Sequence, residues 1–378
     1  MIKPIVASTF LVLTSLALLT QCKSLSGVSS KETALNPPTA FIENDNDFAF
    51  RVLADGIVTD LMKKHNIQAA SLSYLVGWEQ YVNKSYQLSE NDLAIDSTSI
   101  FQAGELSKPL AVLSVMSLVK ENHFDLNRDI RGDLKLWGIK NNYEETFLSL
   151  RNVLKNRGGF NFTSIDAYSL EEEKPSLEQL IQGKNPAKNK ALQLTNEPIK
   201  NFHPNDGGYL VVQKLIEQTM RESFESLCKV YVLGYLEMNS SSILNPLDDS
   251  RVVPGYSIKN KKNDQYSIYP SSAAKGLWST SYDLSKLLNH LVWSVEGKSS
   301  IMDEEAAKDV LENQLGIKYH PKFQSISYYG MTDGYTAHIS ASLRDKIGLS
   351  IMTNSSNGGA FIDELYLYLN RTVPSIDE

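Results

Sequence analysis

The chain has 378 residues, 42% of them apolar and 21% charged, with 37 basic against 44 acidic side chains and a formal charge of −7. At about 150 residues per folding unit this suggests two units or one two-part body. The composition excludes a disordered chain, a collagen-like repeat and a multi-span membrane protein. The acidic balance disfavours nucleic acid as a partner.

The N-terminus comes first. Lys3 precedes an apolar run from Ile5 to Leu19 that is shorter than the roughly 20 residues of a comfortable membrane span. It reads as a signal peptide over residues 1–21, making this an exported protein of the cell envelope. Leu19-Thr20-Gln21-Cys22 resembles a bacterial lipobox, although Gln21 stands where a small residue is usual, so Cys22 is the expected lipidation site and the membrane an expected partner. Residues 22–48, rich in Ser, Asn, Pro and Thr, read as a flexible tether. Cys228, the second of two cysteines, then has no intramolecular partner and is expected to pack as a small buried apolar side chain.

From Ala49 to Lys64 apolar residues recur at helical spacing. Ala69–Val76 and the segment around Tyr81 predict two strands with a turn at Gly77, and Glu105 to Lys120 predicts a helix. Phe160 to Lys200, with charge runs and three prolines, reads as a long loop with short helices on the solvated surface. Helices are predicted over Tyr209–Met220, Ser223–Leu233 and Asp283–Glu296, the last opened by a capping box at Thr280-Ser281-Tyr282-Asp283. Ala337–Leu343 and Ile347–Ile351 alternate as a hairpin with one buried face. A final helix after Gly358 and Gly359 is expected to bury Phe361, Ile362, Leu365, Tyr366 and Leu369. The order predicts an α+β fold: an antiparallel sheet flanked by helices and assembled from both ends of the chain (49–130 and 250–372), with a mostly helical insertion over 131–249.

Six phrases in order carry a resemblance. They are Phe101-Gln102-Ala103-Gly104-Glu105-Leu106-Ser107-Lys108-Pro109, Phe124-Asp125-Leu126-Asn127-Arg128-Asp129, and the stretch Leu150-Arg151-Asn152-Val153-Leu154 to Gly158-Gly159-Phe160. Gly207-Gly208-Tyr209 with Gln213-Lys214-Leu215-Ile216-Glu217, Ala273-Ala274-Lys275-Gly276-Leu277-Trp278, and Met352-Thr353-Asn354-Ser355-Ser356-Asn357-Gly358-Gly359 complete the set. Together they resemble the serine β-lactamase-related proteins, which include class C β-lactamases, D-alanyl-D-alanine carboxypeptidases and related esterases. The resemblance implies a β-lactamase/penicillin-binding-protein-like fold and, for the family, acyl transfer to a serine activated by a lysine one helical turn later.

Against the family's motifs the site residues depart. Glu105 stands in place of the S-x-x-K serine, while Lys108 is retained. Ser107 is adjacent to Lys108 and would point about 100° away from it on a helix. A carboxylate nucleophile would form only a short-lived anhydride, so Glu105 and Lys108 are expected to form an ion pair that fills the pocket floor. The family tyrosine of Y-x-N falls on Pro204, or on His203 if the register shifts by one. The K-T-G position falls on Tyr328, and the oxyanion donors match the backbone amides of Glu105 and Met331. No metal and no cofactor are expected, because none of the six histidines sits in a ligand spacing and no phosphate-binding glycine loop occurs. Three altered motifs on an intact framework predict a catalytically inactive homologue that binds a cell-wall peptide, another cleft ligand or a protein partner. The alternatives are a hydrolase of esters, amides or β-lactams using Lys108, His203 and Tyr328, and a surface interaction lipoprotein whose cleft is unused.

Overall fold

A computed structural model describes residues 56–371, apart from 79, 89–93, 162–163, 201–204, 244, 247, 265 and 300. The expected signal segment, Cys22 and the whole of the tether, together with His203 and Pro204, lie outside the described residues.

Helix α1 (Ile57–His65) opens the described chain and buries Val58, Leu61 and Met62. Strands β1 (Ala69–Val76) and β2 (Gln80–Gln87) pair antiparallel around Gly77, whose φ of 61° is the turn geometry glycine tolerates. Short strand β3 (Phe101–Gly104) leads into α2 (Ser107–Lys120), and α3 (Asp206–Met220) crosses beside it. Helix α4 (Ser272–Lys275), strand β4 (Leu277–Ser279) and α5 (Ser281–Val295) follow. The chain closes with β5 (Lys318–His320), β6 (Ser325–Thr332), β7 (Tyr335–Ser342), β8 (Ile347–Thr353) and α6 (Gly358–Arg371).

The main sheet has the order β2-β1-β8-β7-β6-β5, with every neighbour antiparallel. Strands from the two ends of the sequence therefore share one sheet, as the element order predicts. β3 pairs with β4 in a separate two-stranded piece.

Both faces of the β7–β8 hairpin are buried, not one. The reason is that helices cover both sides of the sheet. Ser350 meets Ser285 of α5 at 2.8 Å on one face, while Ser340 and His338 meet Tyr366 of α6 on the other. The alternating serines that suggest a wet face are hydroxyls satisfied inside the protein.

The stretch from Phe160 to Lys200 is also not a solvated excursion. Phe160, Ile165, Tyr168, Leu177, Leu180, Ile181, Leu192 and Leu194 are buried, and Tyr168 pairs with Ile268. Its charges lie on the outside of a packed layer, and apolar residues spaced between the charge runs supply its inner face. Thr280 does cap α5, accepting the Asp283 amide at 3.1 Å, but the Asp283 carboxylate turns away to accept the Ser240 amide at 2.8 Å. Cys228 is fully buried, and burial pushes its thiol up to about 12. Among the described residues no helix is long and apolar enough to cross a membrane.

Candidate active site

Two glycines bring the site together. β3 runs so close to β6 that a Cβ on Gly330 would lie 1.9 Å from the Ala103 carbonyl oxygen. Gly104 turns with φ +54°, and a Cβ there would lie 2.7 Å from the Thr332 methyl. Only glycine permits this approach, and it sets residue 105 beside the backbone of Met331.

The Glu105 side chain completes the contact. Its Oε2 accepts the Met331 backbone N–H at 2.5 Å, and its Oε1 lies 3.0 Å from Lys275 Nζ. Lys275 ends α4 and reaches inward, donating to Ser164 Oγ at 2.8 Å and lying 3.5 Å from Asp206 Oδ2. Asp206 opens α3. Its Oδ1 lies 2.8 Å from Lys108 Nζ, and its Oδ2 accepts the Ile165 backbone N–H at 2.9 Å. Two acids and two lysines thus form one chain of contacts from β6 through α4 and α3 to α2. Their side chains are 22% exposed for Glu105 and 8%, 1% and 5% for Lys275, Asp206 and Lys108.

Burial opposes charge at each of these positions, so the pairing has to overcome it. For Asp206, desolvation pushes the carboxyl up, but Lys108 and Lys275 outweigh it and hold the acid below its ordinary range. For Lys275, desolvation pulls downward, and the carboxylates of Glu105 and Asp206 reverse the sign and raise it. Tyr328, partly buried on β6, is raised well beyond an ordinary phenol, first by burial and then by the negative charges of Glu105 and Asp206. It is a neutral hydroxyl where the family's strand motif carries a lysine or histidine. Tyr209 of α3, fully buried, packs its ring centroid 5.3 Å from Lys108 Nζ.

The expected Glu105–Lys108 ion pair is not formed. Regular helix begins only at Ser107, so residue 105 precedes it and turns toward β6 rather than down the helix. Lys108 is left to pair with Asp206. Ser107 is no candidate nucleophile either. Fully buried, its Oγ donates to the Gly104 carbonyl at 2.7 Å and accepts the Leu277 amide at 2.9 Å, tying α2 to β4.

Asp206 and Lys275 are the site residues that the sequence reading missed. The signal was present: one occupies the last position of the Y-x-N match and the other lies in the matched phrase Ala273-Ala274-Lys275-Gly276-Leu277-Trp278. Among the described residues no group of three or more His, Cys, Asp or Glu side chains is placed to hold a metal ion.

The family model for beta-lactamase matches residues 54–371, most of the chain. The chain belongs to the beta-lactamase family. Among solved structures, this family member is similar to the octameric penicillin-binding protein homologue from Pyrococcus abyssi, at 20% identity over 85% of this chain and 76% of that one, with a TM-score of 0.69. It is similar to a class C beta-lactamase at 16% identity over 88% and 99% of the two chains, with a TM-score of 0.65. The class C enzyme from Rhodobacter sphaeroides gives 13%, 85%, 100% and 0.64. At such identities the likeness establishes the fold. No curated protein sequence matches this chain.

Chemically, the arrangement holds charge, and the Ser164 hydroxyl bonded to it faces a Lys275 that its carboxylate neighbours keep protonated. The one carboxylate with solvent access is itself hydrogen-bonded to the amide that would receive a developing oxyanion. The lysine of the retained motif faces a carboxylate rather than a hydroxyl.

Proposed function

We propose that this beta-lactamase family member is an exported, lipid-anchored protein that does not carry out acyl transfer and acts by binding. The observation that carries this reading is the contact between the Glu105 carboxylate and the Met331 amide. An oxyanion hole works by reserving backbone donors for charge that appears only in the transition state. Here a side-chain carboxylate of the protein itself already uses that donor. An acyl substrate would have to displace Glu105 from both Met331 and Lys275 before its own oxygen could enter.

The filled pocket favours a partner that engages the outer surface, a protein or a cell-wall polymer, over a small ligand seated on the pocket floor. The rival hydrolase needs Lys108 disengaged from Asp206 and a nucleophile beside it. The hydroxyl adjacent to it in sequence, Ser107, is spent on two backbone hydrogen bonds.

The test is incubation of the purified protein with fluorescent penicillin and with nitrophenyl esters, followed by intact mass. The expected result is unmodified mass and no turnover above that of buffer. A covalent adduct, or turnover abolished by Lys108→Ala, overturns the reading.

A further inference from the structure

Outside the pocket, residues Tyr256 to Lys262 form a tight hairpin that the site does not use. Tyr256 bridges Lys262, the Ser257 amide donates to the Lys261 carbonyl at 2.9 Å, and the Asn260 amide donates to the Ser257 carbonyl at 2.8 Å. Asn260 takes the left-handed turn conformation at φ 57°. The hairpin is held from both flanks. Gln68 Nε2 donates to Asn260 Oδ1 and Asn357 Nδ2 donates to the Ile258 carbonyl, each at 3.0 Å. A turn fixed in this way holds its side chains in place.

The side chains it displays are Ile258, 52% exposed, and the exposed Lys259, Lys261 and Lys262. Three lysines against Asp264 give this segment a net positive charge within a chain whose formal charge is −7. The Lys261–Asp264 pair, 3.7 Å apart with both side chains more than three-quarters exposed, is weakly held in water. Gln68, which grips the hairpin, lies three residues beyond α1, and the last turn of α1 adds the exposed Lys63 and Lys64. Lys63 is paired with Asp60 and Lys64 with Glu364, so each adds less than a full charge.

We infer that the Ile258–Lys262 hairpin is a docking surface for an anionic lipid bilayer, with Ile258 entering the headgroup layer and the lysines lying against lipid phosphates. The inference rests on the lipid-anchor reading for its setting, but the contact itself is separable from it. An apolar tip ringed by lysines matches a surface that is apolar beneath and negatively charged above. The acidic remainder of the chain would keep the rest of the body off the bilayer.

The test uses the full chain carrying Ile258→Trp, with the parent chain as background, on vesicles containing brominated phosphatidylglycerol or brominated phosphatidylcholine. Quenching of the added tryptophan is expected on the anionic vesicles. It should fall roughly tenfold in apparent partition when Lys259→Gln, Lys261→Gln and Lys262→Gln are added, and also in high salt. Flotation of the same samples reports separately whether the chain is anchored at all, so loss of the anchor and loss of the hairpin contact read differently. Absence of quenching at position 258 on chains that do float, or equal quenching on neutral vesicles, overturns the inference. So would quenching that survives the triple substitution, which would assign the contact to a protein-like apolar patch.

Discussion

Lys275 Nζ stands 3.0 Å from Glu105 Oε1 and 3.5 Å from Asp206 Oδ2, so one ammonium joins carboxylates that arise far apart in the chain. Glu105 belongs to the β3–α2 turn, Asp206 to the start of α3, and Lys275 to α4. The network is therefore a fastening between the sheet side and the helical side of the site. Breaking it at its centre should be costly.

Lys275→Met is expected to destabilise the protein by about 3–5 kcal/mol, because it leaves Glu105 without a cation and Asp206 with Lys108 as its remaining one. Urea denaturation measures this as a lowered midpoint. Combining it with Glu105→Gln should recover part of the loss, since the stranded charge is then removed. An unchanged midpoint in the single variant would show that the network is not holding the fold.

Glu105→Ser returns an alcohol to the family's nucleophile position, yet it is expected to stay unlabelled by fluorescent penicillin. Lys108 still faces Asp206 at 2.8 Å. Adding Asp206→Asn releases that pairing, and the double variant should acquire slow labelling at position 105, read by intact mass and peptide mapping. Labelling of the single variant would place the block at residue 105 alone.

Ser107→Ala removes the acceptor of the buried Leu277 amide. An unsatisfied buried donor costs about 1–3 kcal/mol, which a thermal melt should detect. The effect is structural, so penicillin labelling of the Glu105→Ser/Asp206→Asn background should not depend on it.

Acid should weaken the fold through its buried histidines. Burial lowers His338 to about 3 and His290 to about 4, and burial together with Lys318 lowers His320 to about 4. A histidine lowered in the folded state prefers to be neutral there. Its contribution is therefore full above the unfolded value of about 6.5 and is lost as pH falls from there toward the folded value. Asp206 acts in the same direction lower down. Its lowered carboxyl contributes fully above its ordinary 3.8 and loses that contribution as pH falls further. His338, stacked 4.0 Å from the Tyr329 ring and bonded to the Tyr366 hydroxyl, is the most enclosed of the three histidines. Between pH 6 and 4, His338→Phe should flatten the stability–pH slope by about 1.4 kcal/mol per pH unit. An unaltered slope, from denaturation curves across that range, would assign the acid sensitivity elsewhere.

Much of the fold was legible in the sequence because its signals are local. Gly77 and the alternation on either side of it predict the β1–β2 hairpin, and the leucine stripe from Leu284 to Leu291 predicts α5. The six ordered motif matches identify the family. Local reading fails where a residue's surroundings come from elsewhere in the chain. The serines of β7 and β8 look solvent-facing until two helices are laid over them. The stretch from Phe160 to Lys200 looks like a surface loop until Ile165 and Tyr168 are seen packed beneath its charges.

The sequence by itself determined which side chains occupy the site: an acid at 105 in place of an alcohol, a lysine retained at 108, and a tyrosine at 328. It also determined that the glycines needed to bring β3 against β6 are present. Which acid pairs with which lysine was decided only by the tertiary structure. Helical spacing pairs Glu105 with Lys108, but residue 105 sits before the helix begins. Charges withdrawn from water settle on the arrangement that neutralises all of them together. Asp206 and Lys275, remote in sequence and adjacent in space, complete that arrangement.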